Sequence, residues 1–260
     1  LVAVLDRKHY RLTLWRRAPE QLNYRRFFDV NDLVALRMDS EDVFMATHKL
    51  VLEWVSAGVL DGLRVDHVDG LLAPSWYLAR LRQEVDARGA PDAPDPLPIY
   101  VEKILAADEA LPSEWPVQGT TGYDFMNQVG DLTVDPDGFR EIEANYRGLR
   151  KNPLLAFGEV ARGGKRRALN GALRPDVRRV ARAAVAWCFD VPISDVARAI
   201  VEVIVHLDAY RTYVVEPGQV SASGRRVLHA ALAAARAMPD LSADAIAMIE
   251  RAFFAPPGAE

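Results

Sequence analysis

The 260-residue sequence contains a single cysteine, Cys188, so it cannot form an internal disulfide. It also lacks an uncharged apolar run near the ~18 residues of a membrane span, since its longest apolar stretch, 199–207, carries Glu202. Lys and Arg number 32 against 36 Asp and Glu, and the net charge of −4 gives no overall attraction to nucleic acid or anionic membranes. We therefore expect a cytoplasmic globular protein that has neither membrane nor nucleic-acid partners.

The histidines show none of the spacings by which proteins hold metal ions. His48, His206 and His229 fall in helical patterns, and Gly163–Arg166 lacks the upstream glycine and strand of a phosphate-binding loop. The Arg-rich run 162–182 contains no interleaved aromatic residue, which favours a solvated helical face over a nucleic-acid surface. The sequence thus predicts neither a metal site nor a cofactor.

The first half of the chain alternates helical and strand patterns. Apolar residues at helical spacing predict a helix over 40–58, and a short strand over 62–66 follows. A second helix over 75–88 and a Pro-rich loop over 90–98 lead to another strand over 99–104. Strand, helix and strand with such connections indicate a parallel βαβ unit.

From about residue 137 onward the sequence is mainly helical. Helices are predicted over 195–207, with Ser194 as the N-cap, over 225–238 and over 243–254, and 210–215 is predicted to be a third strand. A complete (β/α)8 barrel needs eight strands. Three strands leave two possibilities, an α/β fold with a small sheet or part of a larger enzyme with a helical insertion.

Two carboxylates stand at the ends of the predicted parallel strands. Asp66 closes the first strand and Glu102 lies near the end of the second, so both should lie at the carboxyl edge where substrate sites form. Neighbouring strands can bring them to the ~5–5.5 Å separation of a retaining glycosidase pair. Arg64 shares the face of Asp66 and could keep that carboxylate ionised. The alternative is that both acids are merely solvated or cap the next helix.

Six ordered blocks of the sequence are distinctive: His9–Leu12, Asn23–Leu33, Gly62–Leu71, Tyr100–Leu105, Gly119–Phe125 and Tyr210–Tyr213. Together they resemble the maltooligosyltrehalose synthase family, a branch of the α-amylase family of glycoside hydrolases. The resemblance is dense from about His9 to Gly138 and sparse in the helical part that follows. Positions 69 and 70 hold Asp and Gly where other α-amylase relatives usually place Lys and His, which favours the synthase branch.

The resemblance implies roles for the matching residues. Asp66 corresponds to the catalytic nucleophile, Arg64 to the arginine that holds it, and Glu102 to the general acid/base. His67, Tyr123 and Arg211 correspond to sugar-binding positions, with Tyr123 in a loop over 119–125 beside the cleft. Trp115, between prolines, fits either stacking on a sugar or anchoring a loop.

Two expected blocks are missing. The family has an Asp-x-x-x-Asn-His block before the nucleophile and a third catalytic Asp after the acid/base, and neither is present. We therefore expect the 260 residues to be an internal part of a longer parent polypeptide and to be inactive alone. The predicted fold is a partial (β/α)8 TIM-type barrel of the α/β class. Residues 1–135 would carry both carboxylates, 136–208 a helical insertion, and 209–260 a return to a barrel strand followed by helices.

The implied activity is an intramolecular transglycosylation on a maltooligosaccharide. It converts the α-1,4 linkage at the reducing end into an α,α-1,1 trehalosyl linkage, and a functional partner would be a trehalose-releasing hydrolase. Two alternatives stay open: an α-amylase-like retaining hydrolase or transglycosylase, and a non-catalytic glucan-binding module.

Overall fold

The computed structural model describes residues 4, 6–89, 96–106, 109–149, 156–186 and 190–255. Cys188 and most of the predicted Pro-rich loop lie outside the described residues. The described helices are α1 (Ala18–Gln21), α2 (Glu41–Ser56), α3 (Pro74–Arg88), α4 (Tyr123–Leu132), α5 (Pro136–Leu149), α6 (Phe157–Asn170), α7 (Arg174–Val185), α8 (Ile193–Val205), α9 (Ala222–Arg236) and α10 (Ala243–Phe254). The described strands are β1 (Arg26–Phe27), β2 (Val30–Val34), β3 (Leu63–Val65), β4 (Ile99–Val101) and β5 (Gly119–Thr120), with 3-10 turns at Trp15–Arg17 and Val68–Gly70.

The α/β class is confirmed, and the chain is mostly helical. Strands β1 and β2 form an antiparallel pair, whereas β3, β4 and β5 form a parallel sheet in that order. The chain divides into two compact units, one of residues 36–155 and one of residues 1–35 with 156–260. The parallel sheet lies in the first unit. The barrel and its boundaries at 135/136 and 208/209 stay predictions.

Helices α2 and α3 of the first unit pack against each other and form much as the sequence predicts. α2 buries Phe44 and Leu52 and ends before Gly58, whose φ of 65° is the left-handed conformation typical of a helix C-terminus. α3 begins with Pro74, which needs no N–H partner in the first turn. Burial raises the pKa of Tyr77 to about 12, and its hydroxyl hydrogen-bonds His48 Nε2 at 2.8 Å. The contact between the two helices therefore includes a hydrogen-bonded polar pair.

Strands β3 and β4 are shorter than the sequence predicted. Val65 is paired with Val101, and beyond this pair the Glu102 N–H donates to the Val65 carbonyl at 2.8 Å. The next N–H, that of His67, donates instead to the carboxylate of Glu102 at 2.9 Å. A side chain thus replaces the backbone acceptor, which ends the strand pair one residue before Asp66 and Glu102.

The second unit has its core around α8. This helix packs against α6, α7, α9 and α10 and buries a continuous apolar face. It begins two residues earlier than predicted, and its N-cap is Pro192 rather than Ser194. The Pro192 carbonyl accepts the first helical N–H groups, those of Asp195 and Val196. α10 begins as predicted, with Ser242 Oγ accepting the Ala245 N–H.

The predicted strand over 210–215 is wrong. Residues 210–215 form neither helix nor strand, and Tyr213 has a φ of 54°, in the left-handed region and far from the β region. The β-branched and aromatic composition of this stretch gave a misleading signal. The antiparallel pair β1–β2, by contrast, was not expected, and it is secured by the buried Arg26, which donates to Asn31 and Asp176.

Candidate active site

Asp66 lies directly after β3 and is held by the arginine two residues before it. Arg64 Nη1 is 2.7 Å from Asp66 Oδ1, as the shared strand face predicts. Both side chains are more than half exposed, at 54% and 59%, so the carboxylate is open to a ligand. Asp66 does not cap the following helix, because α3 has Ala73 at its N-cap.

Glu102 lies directly after β4, beside Asp66 on the neighbouring strand. Its Oε2 accepts the His67 N–H at 2.9 Å, and its Oε1 accepts the Tyr123 hydroxyl at 3.3 Å. Arg64 Nη2 lies 4.0 Å from the same Oε1, so one guanidinium bridges the two carboxylates. At 23% side-chain exposure, Glu102 is more enclosed than Asp66.

The backbone of His67 is in the left-handed conformation, with φ 48° and ψ 49°. A residue other than glycine is strained there by roughly 1–3 kcal/mol, and such strain collects at functional sites. The conformation turns the chain sharply so that the His67 N–H reaches Glu102. Gly70 closes the turn, and its N–H donates to the His67 carbonyl at 2.9 Å.

Tyr123 begins α4 rather than lying in a loop. The predicted loop over 119–125 is instead β5 followed by α4, a correction that places Tyr123 in the first turn of the helix after the third parallel strand. Gly122, with a φ of 89°, makes the turn between them, and Asp124 accepts the Thr120 hydroxyl at 2.9 Å. The turn at Gly122 thus places Tyr123 where its hydroxyl reaches Glu102.

Arg211 lies in the other unit, where its guanidinium carbon is 5.5 Å from the centre of the Tyr213 ring, and its role in sugar binding stays a prediction. Trp115 is a loop anchor, since it is 4% exposed and its Nε1 donates to Ser75 Oγ at 2.9 Å. Among the described residues, no three His, Cys, Asp or Glu side chains are placed to hold a metal ion.

Sequence reasoning missed Lys103. It follows Glu102, continues the buried row of Ile99 and Val101, and is 1% exposed. Its Nζ lies 2.8 Å from Glu109 Oε1 and 3.4 Å from Asp69 Oδ2. The signal that could have found it is the alternation along this stretch, because Lys103 stands two residues after the buried Val101 and four after the buried Ile99.

The solved structures that resemble this chain are α-amylase-like enzymes. They include maltooligosyltrehalose synthase from Arthrobacter ramosus, with a TM-score of 0.79 and 39% identity over 95% of this chain. A Sulfolobus tokodaii structure titled hypothetical maltooligosyl trehalose synthase matches 96% of the chain with a TM-score of 0.69 and 27% identity. The chain spans 30% and 29% of these two structures.

A curated protein of Mycobacterium tuberculosis, named "Putative maltooligosyl trehalose synthase", is 47% identical over 142 residues. That match covers 55% of this chain and 17% of the relative's length. No family model matches the chain. The resemblance to maltooligosyltrehalose synthases predicted from the sequence is confirmed. Within the described residues, no helix has both the length and the apolar character needed to cross a membrane.

Gly70→Ala tests how tightly the turn is built against the His67 ring. A Cβ at Gly70 would come within 2.6 Å of His67 Cδ2, so the ring or the turn must move. We expect a cost of about 1–3 kcal/mol in the local opening free energy. Hydrogen–deuterium exchange over residues 63–71 measures it in the parent polypeptide.

The matched control for this prediction is Gly130→Ala. Gly130 lies inside α4, and a Cβ there would meet nothing within 4 Å. Alanine should leave that helix unchanged or stabilise it by up to about 1 kcal/mol. Unchanged exchange over residues 63–71 in Gly70→Ala would show that the turn accepts a side chain.

Proposed function

We propose that the chain is part of the catalytic (β/α)8 domain of a maltooligosyltrehalose synthase. The parent polypeptide would convert the α-1,4 linkage at the reducing end of a maltooligosaccharide into an α,α-1,1 linkage. One observation carries this proposal: Asp66 and Glu102 follow adjacent parallel strands and are bridged by Arg64. The length of the match to known synthases supports the specific reaction.

In the first displacement, Asp66 attacks C1 of the penultimate glucose. The C1–O bond breaks, a glycosyl ester forms on Asp66, and a protonated Glu102 gives its proton to the departing O4 of the terminal glucose. The exposure of Asp66 suits a nucleophile that must reach a sugar carbon. Glu102 accepts hydrogen bonds from the His67 N–H and the Tyr123 hydroxyl, which suits an acid/base that must keep one orientation.

In the second displacement, the released glucose turns and presents its anomeric hydroxyl. Glu102, now a carboxylate, takes the proton of that hydroxyl, whose oxygen attacks C1 and frees Asp66. Two inversions retain the α configuration. Water must be kept out, since it would intercept the same ester and give hydrolysis.

We assign sugar-hydroxyl binding to His67, Tyr123 and Arg211, and charge stabilisation of Asp66 to Arg64. Tyr123 and the His67 N–H already donate hydrogen bonds to Glu102, so both groups lie beside the residue that acts on the sugar. Coupling to a trehalose-releasing hydrolase and a cytoplasmic location stay predictions, as do domain boundaries at 1–135, 136–208 and 209–260.

Product analysis of the parent polypeptide tests the function. With maltohexaose we expect the reducing-sugar titre to fall while the number of hexose units in the product is unchanged, because the terminal anomeric carbon becomes part of a glycosidic bond. A rising titre would identify a hydrolase. An unchanged titre together with retained glucan binding would identify a non-catalytic module. The 260 residues alone should give no rearrangement.

A further inference from the structure

Lys103 is a buried cation that the proposed reaction does not use. Its side chain has 0% exposure and reaches Asp69, in the turn after β3, and Glu109, beyond β4. An unpaired buried ammonium would cost several kcal/mol, so the two carboxylates are needed to hold it. Apolar residues in place of all three charged groups could fill the same space without that cost. The pairing therefore calls for a reason beyond packing.

Glu102 and Lys103, which are adjacent in sequence, contact two different points of the turn His67–Gly70. Glu102 accepts the N–H of His67 at the start of the turn, and Lys103 pairs with Asp69 two residues later. The turn is closed internally by bonds from the Gly70 N–H to the His67 carbonyl and from the Leu71 N–H to the Val68 carbonyl. Because the turn is stiff, a shift at Asp69 moves the His67 N–H and with it the Glu102 carboxylate.

Lys103 also fixes the chain beyond β4. Glu109 Oε2 accepts the N–H of Ala106 at 3.1 Å while its other oxygen pairs with Lys103. The buried ammonium thus joins the segments that leave both strands. These are the same two segments that carry Asp66 and Glu102 at their beginnings.

We propose that Lys103 is a positioning residue that orients Glu102 through the turn His67–Gly70. This inference rests on the proposed role of Glu102 as acid/base. Lys103 does not touch substrate. It determines whether the Glu102 oxygens face the glycosidic oxygen, and so affects proton transfer more than sugar binding.

The test compares Lys103→Met with wild type in the parent polypeptide, using two substrates. A maltooligosaccharide needs protonation of its leaving oxygen, whereas an α-glycosyl fluoride needs little. We expect kcat for the maltooligosaccharide to fall by about 10²-fold, as for a displaced catalytic group, with KM nearly unchanged. The pre-steady-state burst of fluoride from the first displacement should change by no more than a few-fold, because only the second displacement needs Glu102 with this substrate. Exchange over residues 63–71 should become faster.

Asp69→Asn keeps the proposal testable if Lys103→Met does not fold. Asp69→Asn keeps shape and removes only the charge at the other end of the contact, and it should reproduce the substrate-selective loss. Combining it with Lys103→Met should reduce kcat little more than Lys103→Met alone, because that change already breaks the Lys103–Asp69 contact.

Arg80→Met is the matched control. Arg80 is a cation between two carboxylates, Glu41 and Glu84, in the same unit but outside the site. Its replacement should leave the ratio of the two substrate rates unchanged. Equal losses on both substrates in Lys103→Met and Asp69→Asn, or unchanged exchange over 63–71, would overturn the positioning role. If wild type makes no trehalosyl product, the proposed function fails, and the exchange measurement still decides whether Lys103 holds the turn.

Discussion

Asp66→Asn in the parent polypeptide should abolish turnover of both a maltooligosaccharide and an α-glycosyl fluoride. The amide cannot attack C1, and the other carboxylate that Arg64 contacts, that of Glu102, already accepts the His67 N–H and the Tyr123 hydroxyl. We expect a loss of roughly 10⁴-fold or more, equivalent to about 5 kcal/mol of transition-state stabilisation. Initial-rate assays with each substrate measure it. A good leaving group should not rescue the variant, since the missing group is the nucleophile.

Asp61→Asn is the matched control for this loss. It makes the same chemical change just before β3, whereas Asp66 lies just after that strand. Asp61 is exposed and at the amino end of the strand, away from the carboxyl edge of the parallel sheet. Its variant should keep wild-type rates. Substantial turnover of the fluoride by Asp66→Asn, with retained configuration and without added nucleophile, would remove Asp66 from the role of nucleophile.

The carboxyl edge of the sheet could be predicted because its signals are local. A short apolar strand ending in an acid, repeated after a helix, determines both the parallel pairing and the shared edge of Asp66 and Glu102. The Arg64 contact follows from the two-residue period of a strand. The two helices that flank β3, α2 and α3, carry apolar residues at helical spacing, and both were found within two residues of the expected ends.

The rest depends on contacts between residues distant in sequence. No local pattern predicts that the carboxylate of Glu102 replaces a ladder acceptor for His67, or that Lys103 finds Asp69 and Glu109. The stretch 210–215 failed for the opposite reason, because strand composition was present but the backbone of Tyr213 is left-handed. Pair β1–β2 depends on Arg26 reaching Asp176, 150 residues further along the chain.

Glu102→Gln should separate the two displacements. Glutamine keeps an oxygen that can accept the His67 N–H or the Tyr123 hydroxyl, so the fold of the site should persist. It cannot give a proton to a leaving sugar oxygen, and turnover of maltooligosaccharides should fall by about 10²–10⁴-fold. With an α-glycosyl fluoride the first displacement should continue. Glu114→Gln, the same change at an exposed position of this unit, should behave as wild type in both assays.

The variant should then stop at the glycosyl ester, because nothing remains to activate the incoming hydroxyl. Intact-mass spectrometry of fluoride-treated Glu102→Gln should show one added glycosyl group, and peptide mapping should place it on Asp66. Azide needs no base and should enter from the face that the acid/base leaves free, releasing a glycosyl azide of retained configuration from this variant. Asp66→Asn should give no glycosyl azide of retained configuration, because this variant forms no ester for azide to attack. Sugar found on any residue other than Asp66 would contradict the assignment, because the site would then hold a different nucleophile within reach of C1.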